Sequence, residues 1–252
     1  MGEGRGLIPR RTLAKGSAWA VPVIVAAAGS PALAAASVCT TTCADLTGST
    51  GALNFGTGTT WNTTTNSFGN GWTGATSPTT AQFMSGSDTH VFRSSNWTPG
   101  ATPGCQTGQT ACTAGTAVGG VTIGFGGDPL QANTTVSYAS KVFCLPKGKY
   151  TFSFNYSYVG CWFRSQILTA YLVDVGTGTT TQMGTPVVAA AASSPGHGTI
   201  TATITVSAQA YFQWRYVWSF GTETGATYTN NTCTTNANDI GVSAPTCSFT
   251  AA

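Results

Sequence analysis

The sequence predicts an all-β chain: an antiparallel β-sandwich, stapled by disulfides and preceded by an N-terminal signal segment. Three observations predict it. No window carries apolar residues at a 3.6-residue period between helix caps, and Glu, Lys and Leu are scarce. Two runs place an aromatic residue at every second position. The other apolar or β-branched segments are short and are separated by clusters of Gly, Pro, Asn and Thr, the punctuation of a sandwich or barrel.

The first element is an address. Arg10 and Arg11 form a twin-arginine pair, followed by Thr12, Leu13, Ala14 and Lys15. An apolar stretch from Ala18 to Ala28 follows, then the small-residue run Ser30 to Ala36. A basic start, a short apolar middle and an A-x-A-like site predict an export signal over residues 1–36, cleaved after Ala34 or Ala36. The stretch is too short, and too interrupted by Pro22 and Pro31, for a spanning helix of about 20 apolar residues. Residues 37–252 are then expected to form one domain. Its first part, 37–120, is looser and loop-rich, and its core is 121–252.

Charge divides at the same boundary. The chain carries a formal net charge of +3. Arg5, Arg10, Arg11 and Lys15 against Glu3 account for all of it. Beyond the signal, Arg93, Lys141, Lys147, Lys149, Arg164 and Arg215 balance Asp45, Asp88, Asp128, Asp174, Glu223 and Asp239. A neutral, charge-poor surface has no footprint for nucleic acid or anionic lipid, and it lacks the self-repulsion that keeps copies apart. Hydrophobic residues make up 41% of the chain, enough for a packed core and against wholesale disorder.

All eight cysteines follow the signal: Cys39, Cys43, Cys105, Cys112, Cys144, Cys161, Cys233 and Cys247. An even count in an exported chain reads as disulfides. Pairing between sequence neighbours is expected, Cys39–Cys43, Cys105–Cys112, Cys144–Cys161 and Cys233–Cys247, although spacing alone does not choose a connectivity. No C-x-x-C pair exists, and the two histidines, His90 and His197, stand apart from the cysteines, which argues against zinc.

Among the strands, the aromatic runs are the clearest. Tyr150, Phe152, Phe154, Tyr156 and Tyr158 alternate with Thr151, Ser153, Asn155 and Ser157. Phe212, Trp214, Tyr216, Trp218 and Phe220 alternate in the same way with mostly polar partners. Alternation on a strand puts five aromatics on one face, the pattern of a half-buried antiparallel strand. Further strands are expected at 53–55, 81–84, 89–93, 121–125, 135–138, 142–145, 167–175, 182–188, 199–206, 240–242 and 247–249. Residues 176–181 read as a hairpin turn and 193–198 as a loop.

From about residue 118 to 249, the order of these pieces resembles the galactose-binding-like jelly-roll modules. The pieces are the long strand KYTFSFNYSY (149–158), ILTAYLVDV (167–175), the strand 199–206 and the aromatic strand 211–220. Asn238-Asp239-Ile240-Gly241-Val242 is similar to that family's closing strand. The resemblance spans roughly half of the chain and implies a sandwich of jelly-roll type. Modules of this kind often hold a structural Ca²⁺. Asp239 with Asn238, or Asp128 beside Gly126 and Gly127, would supply oxygen ligands; the alternative is ordinary turn chemistry.

The aromatic rows admit two readings, a sugar-stacking platform or the facing layers of the core. Core is favoured, because exposing both rows would leave an apolar patch beyond what soluble monomers carry. Trp61, Trp72 and Trp97 sit in Gly/Thr/Asn-rich segments and are the candidate ligand-binding residues, the alternative being caps on the sandwich ends. Asp88 and His90, near Ser85 and Ser87, lack a G-x-S-x-G elbow, and no catalytic cluster is evident. The expectation is a non-enzymatic, extracellular or cell-surface structural or adhesive protein without a cofactor. Its partners would be cell-wall or extracellular glycan, or a second copy of itself. It would have no membrane association after signal cleavage. The alternative is a carbohydrate-binding module using the loop tryptophans, with a secreted hydrolase third.

Overall fold

The computed structural model describes residues 38–56, 67–77, 91–95, 118, 121–125, 134–160, 165–190, 193–221 and 240–251. All of them lie in one compact unit, Val38–Ala252. One short helix, α1 (Cys43–Thr47), precedes the strands. Those are β1 (Ser67–Phe68), β2 (Trp72–Ser77), β3 (Val91–Ser95), β4 (Val121–Phe125), β5 (Thr135–Ala139), β6 (Phe143–Leu145) and β7 (Gly148–Gly160). After them come β8 (Gln166–Asp174), β9 (Thr180–Gln182), β10 (Val187–Ala189), β11 (Ser193–Val206), β12 (Ala210–Phe220), β13 (Ile240–Ser243) and β14 (Thr246–Thr250).

The strands form two antiparallel sheets. The first has the order β1-β2-β5-β12-β8-β10, with β6 also on β12 and β9 also on β8. The second has the order β11-β7-β13-β4-β3, with β14 also on β7. The two long aromatic strands lie at the heart of the layers, β12 in the first sheet and β7 in the second. Their rows face each other: Phe152 and Trp214 have ring centroids 5.4 Å apart, and Phe154 and Tyr216 5.2 Å. Trp214, Tyr216 and Trp218 are fully buried. Edge-to-face and tilted pairs of this kind add about 0.5–1.5 kcal/mol each beyond area burial. The rows are therefore core, and the two-layer antiparallel architecture fits a jelly-roll-like module.

The hairpin at 176–181 forms as expected. Asp174 Oδ1 accepts from the N–H groups of Gly176 and Thr177. Four expectations are corrected. Residues 53–55 form a turn rather than a strand, because Leu53 and Phe55 insert as plugs into the core. The expected strand 182–188 is split into β9 and β10 by Gly184, whose φ of +82° belongs to the left-handed region. Residues 193–198 are strand, not loop, with Gly196 opposite Tyr158 and Gly198 opposite Tyr156. A Cβ at Gly198 would meet the Tyr156 hydroxyl at 2.8 Å, and one at Gly196 the Tyr158 ring. These glycines let two tyrosine rings lie across the backbone, a packing use that resembles turn composition in the sequence.

The fourth correction concerns the disulfides. Cys39 joins Cys144 and Cys43 joins Cys247, so the expected local pairs Cys39–Cys43, Cys144–Cys161 and Cys233–Cys247 do not form. The reason is tertiary. Cys144 sits on β6 in the first sheet and Cys247 on β14 in the second. The N-terminal segment thus carries one bridge to each layer. Cys105 and Cys112 lie outside the described residues.

Candidate functional site: the hydroxyl face and the open edge

Segment 38–56 closes one part of the sandwich. Thr42 caps α1: its hydroxyl accepts from the Asp45 N–H, and the Asp45 carboxylate accepts from the Thr42 N–H at 2.8 Å. The Thr42 backbone N–H, and then the Thr42 hydroxyl, which donates to Asp45 Oδ2 at 2.7 Å, hold the Asp45 carboxyl below its ordinary value. The Asn70 side chain donates to the carbonyls of Ser49, Gly51 and Asn54. Gly69, next to it, has a φ of +51° and presses so closely on the Phe55 carbonyl that no Cβ fits.

Trp72 belongs to this closure. It lies on β2, is fully buried, stacks on Tyr216 at 6.1 Å and donates its indole N–H to the Asn54 carbonyl at 3.1 Å. The loop-ligand expectation for Trp72 is corrected: β2 pairs with both β1 and β5, which turns the ring inward. Trp61, Trp97, Asp88, His90, Asp128, Asn238 and Asp239 lie outside the described residues. Among the described residues there is no group of three or more His, Cys, Asp or Glu that would hold a metal ion.

Burial dominates the titratable groups of the first sheet. It pushes the Tyr138 and Tyr216 hydroxyls well above their ordinary range, and Tyr216 also donates to the Ser243 carbonyl at 3.0 Å. Partial burial lowers Arg215 from its usual value. Ser157 and His197 are cross-strand neighbours on the outer face of the second sheet. Ser157 is fully buried and so presents no nucleophile to solvent, while His197 is exposed.

The outer face of the second sheet is a field of hydroxyls that sequence reasoning missed as a surface. Thr199, Thr201, Thr203 and Thr205 of β11 are all exposed, and they stand opposite Asn155, Ser153, Thr151 and Lys149 of β7. Thr246, Ser248 and Thr250 of β14 flank β7 on its other side. The side chains bond across strands: Thr151 to Thr203 at 2.9 Å, Ser153 to Thr201 at 3.0 Å, and the Thr199 hydroxyl donates to Asn155 Oδ1 at 2.7 Å. Lys149, at one end, is the only charge in these rows. The period-2 threonines of residues 199–205 were the available signal.

Among the described residues, β11 is also the last strand of its sheet. A cleft of about 380 Å³ runs beside it, with Thr199, Ile200 and Thr201 on one wall, Gly184 to Val187 on the other, and Tyr156 within. Tyr156 is half-buried and stacks on Tyr158, with centroids 6.4 Å apart and planes 7° from parallel.

No protein-family model matches the chain, and no curated protein does. Among solved structures, it is similar to the crystal structure of the enzymatically active domain of tailspike protein 4 of bacteriophage CBA120. Sequence identity is 7% and the TM-score 0.34, over 71% of this chain and 19% of that one. The chain therefore spans about a fifth of that structure's length. Two long-range disulfides are the bonds of an oxidising compartment. Among the described residues no helix is long and apolar enough to cross a membrane.

Proposed function

We propose that this chain is an exported, non-enzymatic structural or adhesive protein of the bacterial envelope or extracellular matrix, directed outward by its twin-arginine-type segment. The observation that carries the reading is the hydroxyl face of β11, β7 and β14, with Lys149 its single charge, bordered by the β11 edge that no other strand among the described residues pairs with. Such a face makes many weak, neutral hydrogen bonds to a hydroxylated surface, and residues 37–252, whose six positive and six negative side chains cancel, approach such a surface, or their own copies, unopposed. The jelly-roll resemblance agrees with a binding or structural module rather than with any one activity.

A second reading, a carbohydrate-binding module, now rests on the Tyr156 cleft, where one aromatic ring lies among threonine hydroxyls. Trp61 and Trp97, and a Ca²⁺ held by Asp128 or by Asn238 with Asp239, remain proposals attached to it. Retention of the oxidised full chain on purified cell wall and insoluble glycans, with and without EDTA, tests both readings. Retention that Thr151→Val with Thr203→Val weakens supports the adhesive face. Retention that free sugar and Tyr156→Ala abolish, with the face variant unaffected, favours the module. A chain that neither binds nor associates contradicts both.

A further inference from the structure

We propose that β11 is a self-recognition strand: a second copy of this chain lays its own β11 antiparallel along the free side of β11, about a two-fold axis at Ala202. The inference deepens the structural reading above and rests on it.

The first support is the edge itself. β11 pairs with β7 on one side, and among the described residues no strand pairs with its other side. A strand edge presents a row of unpaired N–H and C=O groups, a template for another strand. Proteins usually blunt long edges with lysine, proline, bulges or short length. From Thr199 to Val206, β11 carries no charge, no proline and no glycine, and every residue but Ala202 is β-branched. Its register with β7 runs unbroken from Gly196 to Val206.

The second support is the order of residues. Thr199-Ile200-Thr201-Ala202-Thr203-Ile204-Thr205 reads identically in both directions. In an antiparallel pair centred on Ala202, Ala202 faces Ala202 of the second copy, Ile200 faces Ile204, Thr201 faces Thr203 and Thr199 faces Thr205. A closed two-fold interface requires such self-complementarity, because each copy presents the same patch. On the inner side, Ile200 and Ile204 are only half-buried and pack at the margin of the core, so isoleucines from the second copy would cover them. On the outer side, the Thr201–Thr203 pairs would repeat the hydroxyl bonds that β11 already makes to β7.

The third support is space. A cleft lined in part by Thr199, Ile200 and Thr201 opens at the end of β11 that residues 203–205 of the second copy would approach. Its far wall, Gly184 to Val187, is uncharged. Pairing would join two second sheets into one continuous sheet and double the hydroxyl face.

The test is sedimentation velocity of the oxidised full chain over a concentration series. The chain is expected to form a dimer. Thr201→Lys with Thr203→Lys places lysine against lysine across the axis, and Thr201→Glu with Thr203→Glu places glutamate against glutamate; like charges directly opposite destabilise a strand pair. Each double variant is expected to weaken the dimer at least tenfold, with near-ultraviolet circular dichroism unchanged because the positions are exposed. Mixing the two variants is expected to restore a heterodimer. A wild-type monomer at every concentration, a dimer indifferent to both variants, or a mixture that stays monomeric would each overturn the pairing. Wall retention by a monomeric chain would overturn the pairing alone and leave the adhesive reading standing.

Discussion

The N-terminal segment 38–56 and the edge strand β11 are held in opposite ways. The segment has almost no regular structure, yet it is tied by two disulfides, one to each sheet, and by the three bonds of Asn70. β11 is among the longest and most regular strands, yet β7 is its only ladder partner among the described residues. Regularity and security of attachment are thus separate properties. A segment without a ladder is secured by covalent bonds and by side chains sunk in the core. A regular strand at an edge keeps half its backbone groups available. The first arrangement suits a fold in an oxidising compartment, and the second suits the self-pairing proposed above.

The largest effect is expected on the closed side. Removing the Cys43–Cys247 bridge as a paired serine variant opens a loop with a sequence separation of 204, and the chain-entropy relation puts the loss at about 5 kcal/mol. Removing Cys39–Cys144, with a separation of 105, should cost about 0.6 kcal/mol less, since loop entropy grows only with the logarithm of length. Guanidinium denaturation of the two variants measures both, and equal or inverted losses would show that the segment is not held in the way its bridges imply.

Next in size is Trp72→Ala. Because Trp72 is buried, stacked on Tyr216 and bonded to Asn54, truncation is expected to destabilise by about 3–5 kcal/mol. A variant of full stability that lost glycan retention would instead return Trp72 to the surface and erase the contrast between a sealed end and an open edge.

The smallest effect concerns pH. The Asp45 carboxyl is held below its ordinary value of 3.8 by the Thr42 N–H and hydroxyl. Its folded pKa is depressed, so its contribution is fully present above that ordinary value and is lost as pH falls through the lower folded one. Asp45→Asn should therefore be slightly less stable than wild type at neutral pH. The difference should shrink below about pH 4 as the unfolded-state carboxyl titrates. A difference that is constant with pH would mean that the α1 cap does not depend on the carboxylate.

How far the sequence reveals this molecule depends on what each residue is answering to. β7 and β12 were legible as strands because strict alternation puts every aromatic on one face, and the size of the two rows favoured core over an exposed platform. β4 was legible in full from Val121 to Phe125. Gly196 and Gly198 were not, since their role is to admit the Tyr158 and Tyr156 rings, a demand that arises only once the strands pair. The bridges of Cys39 and Cys43 were not, because neighbours in sequence point to different sheets. Trp72 looked like a loop residue because Gly, Asn and Thr surround it in sequence and its burial comes from other strands. The edge lay in plain view as a palindrome, but a palindrome acquires meaning only when its strand proves to be the last of a sheet.

Amide hydrogen exchange of the oxidised full chain at two protein concentrations tests the contrast most directly. In dilute solution, the amides of residues 199–205 that point away from β7 should exchange rapidly, and at high concentration they should become protected. The amides of Leu46 and Leu53, bonded to the Thr42 and Leu46 carbonyls, should stay protected at both. Exchange in residues 199–205 that is the same at both concentrations would contradict an associating edge on a closed sandwich.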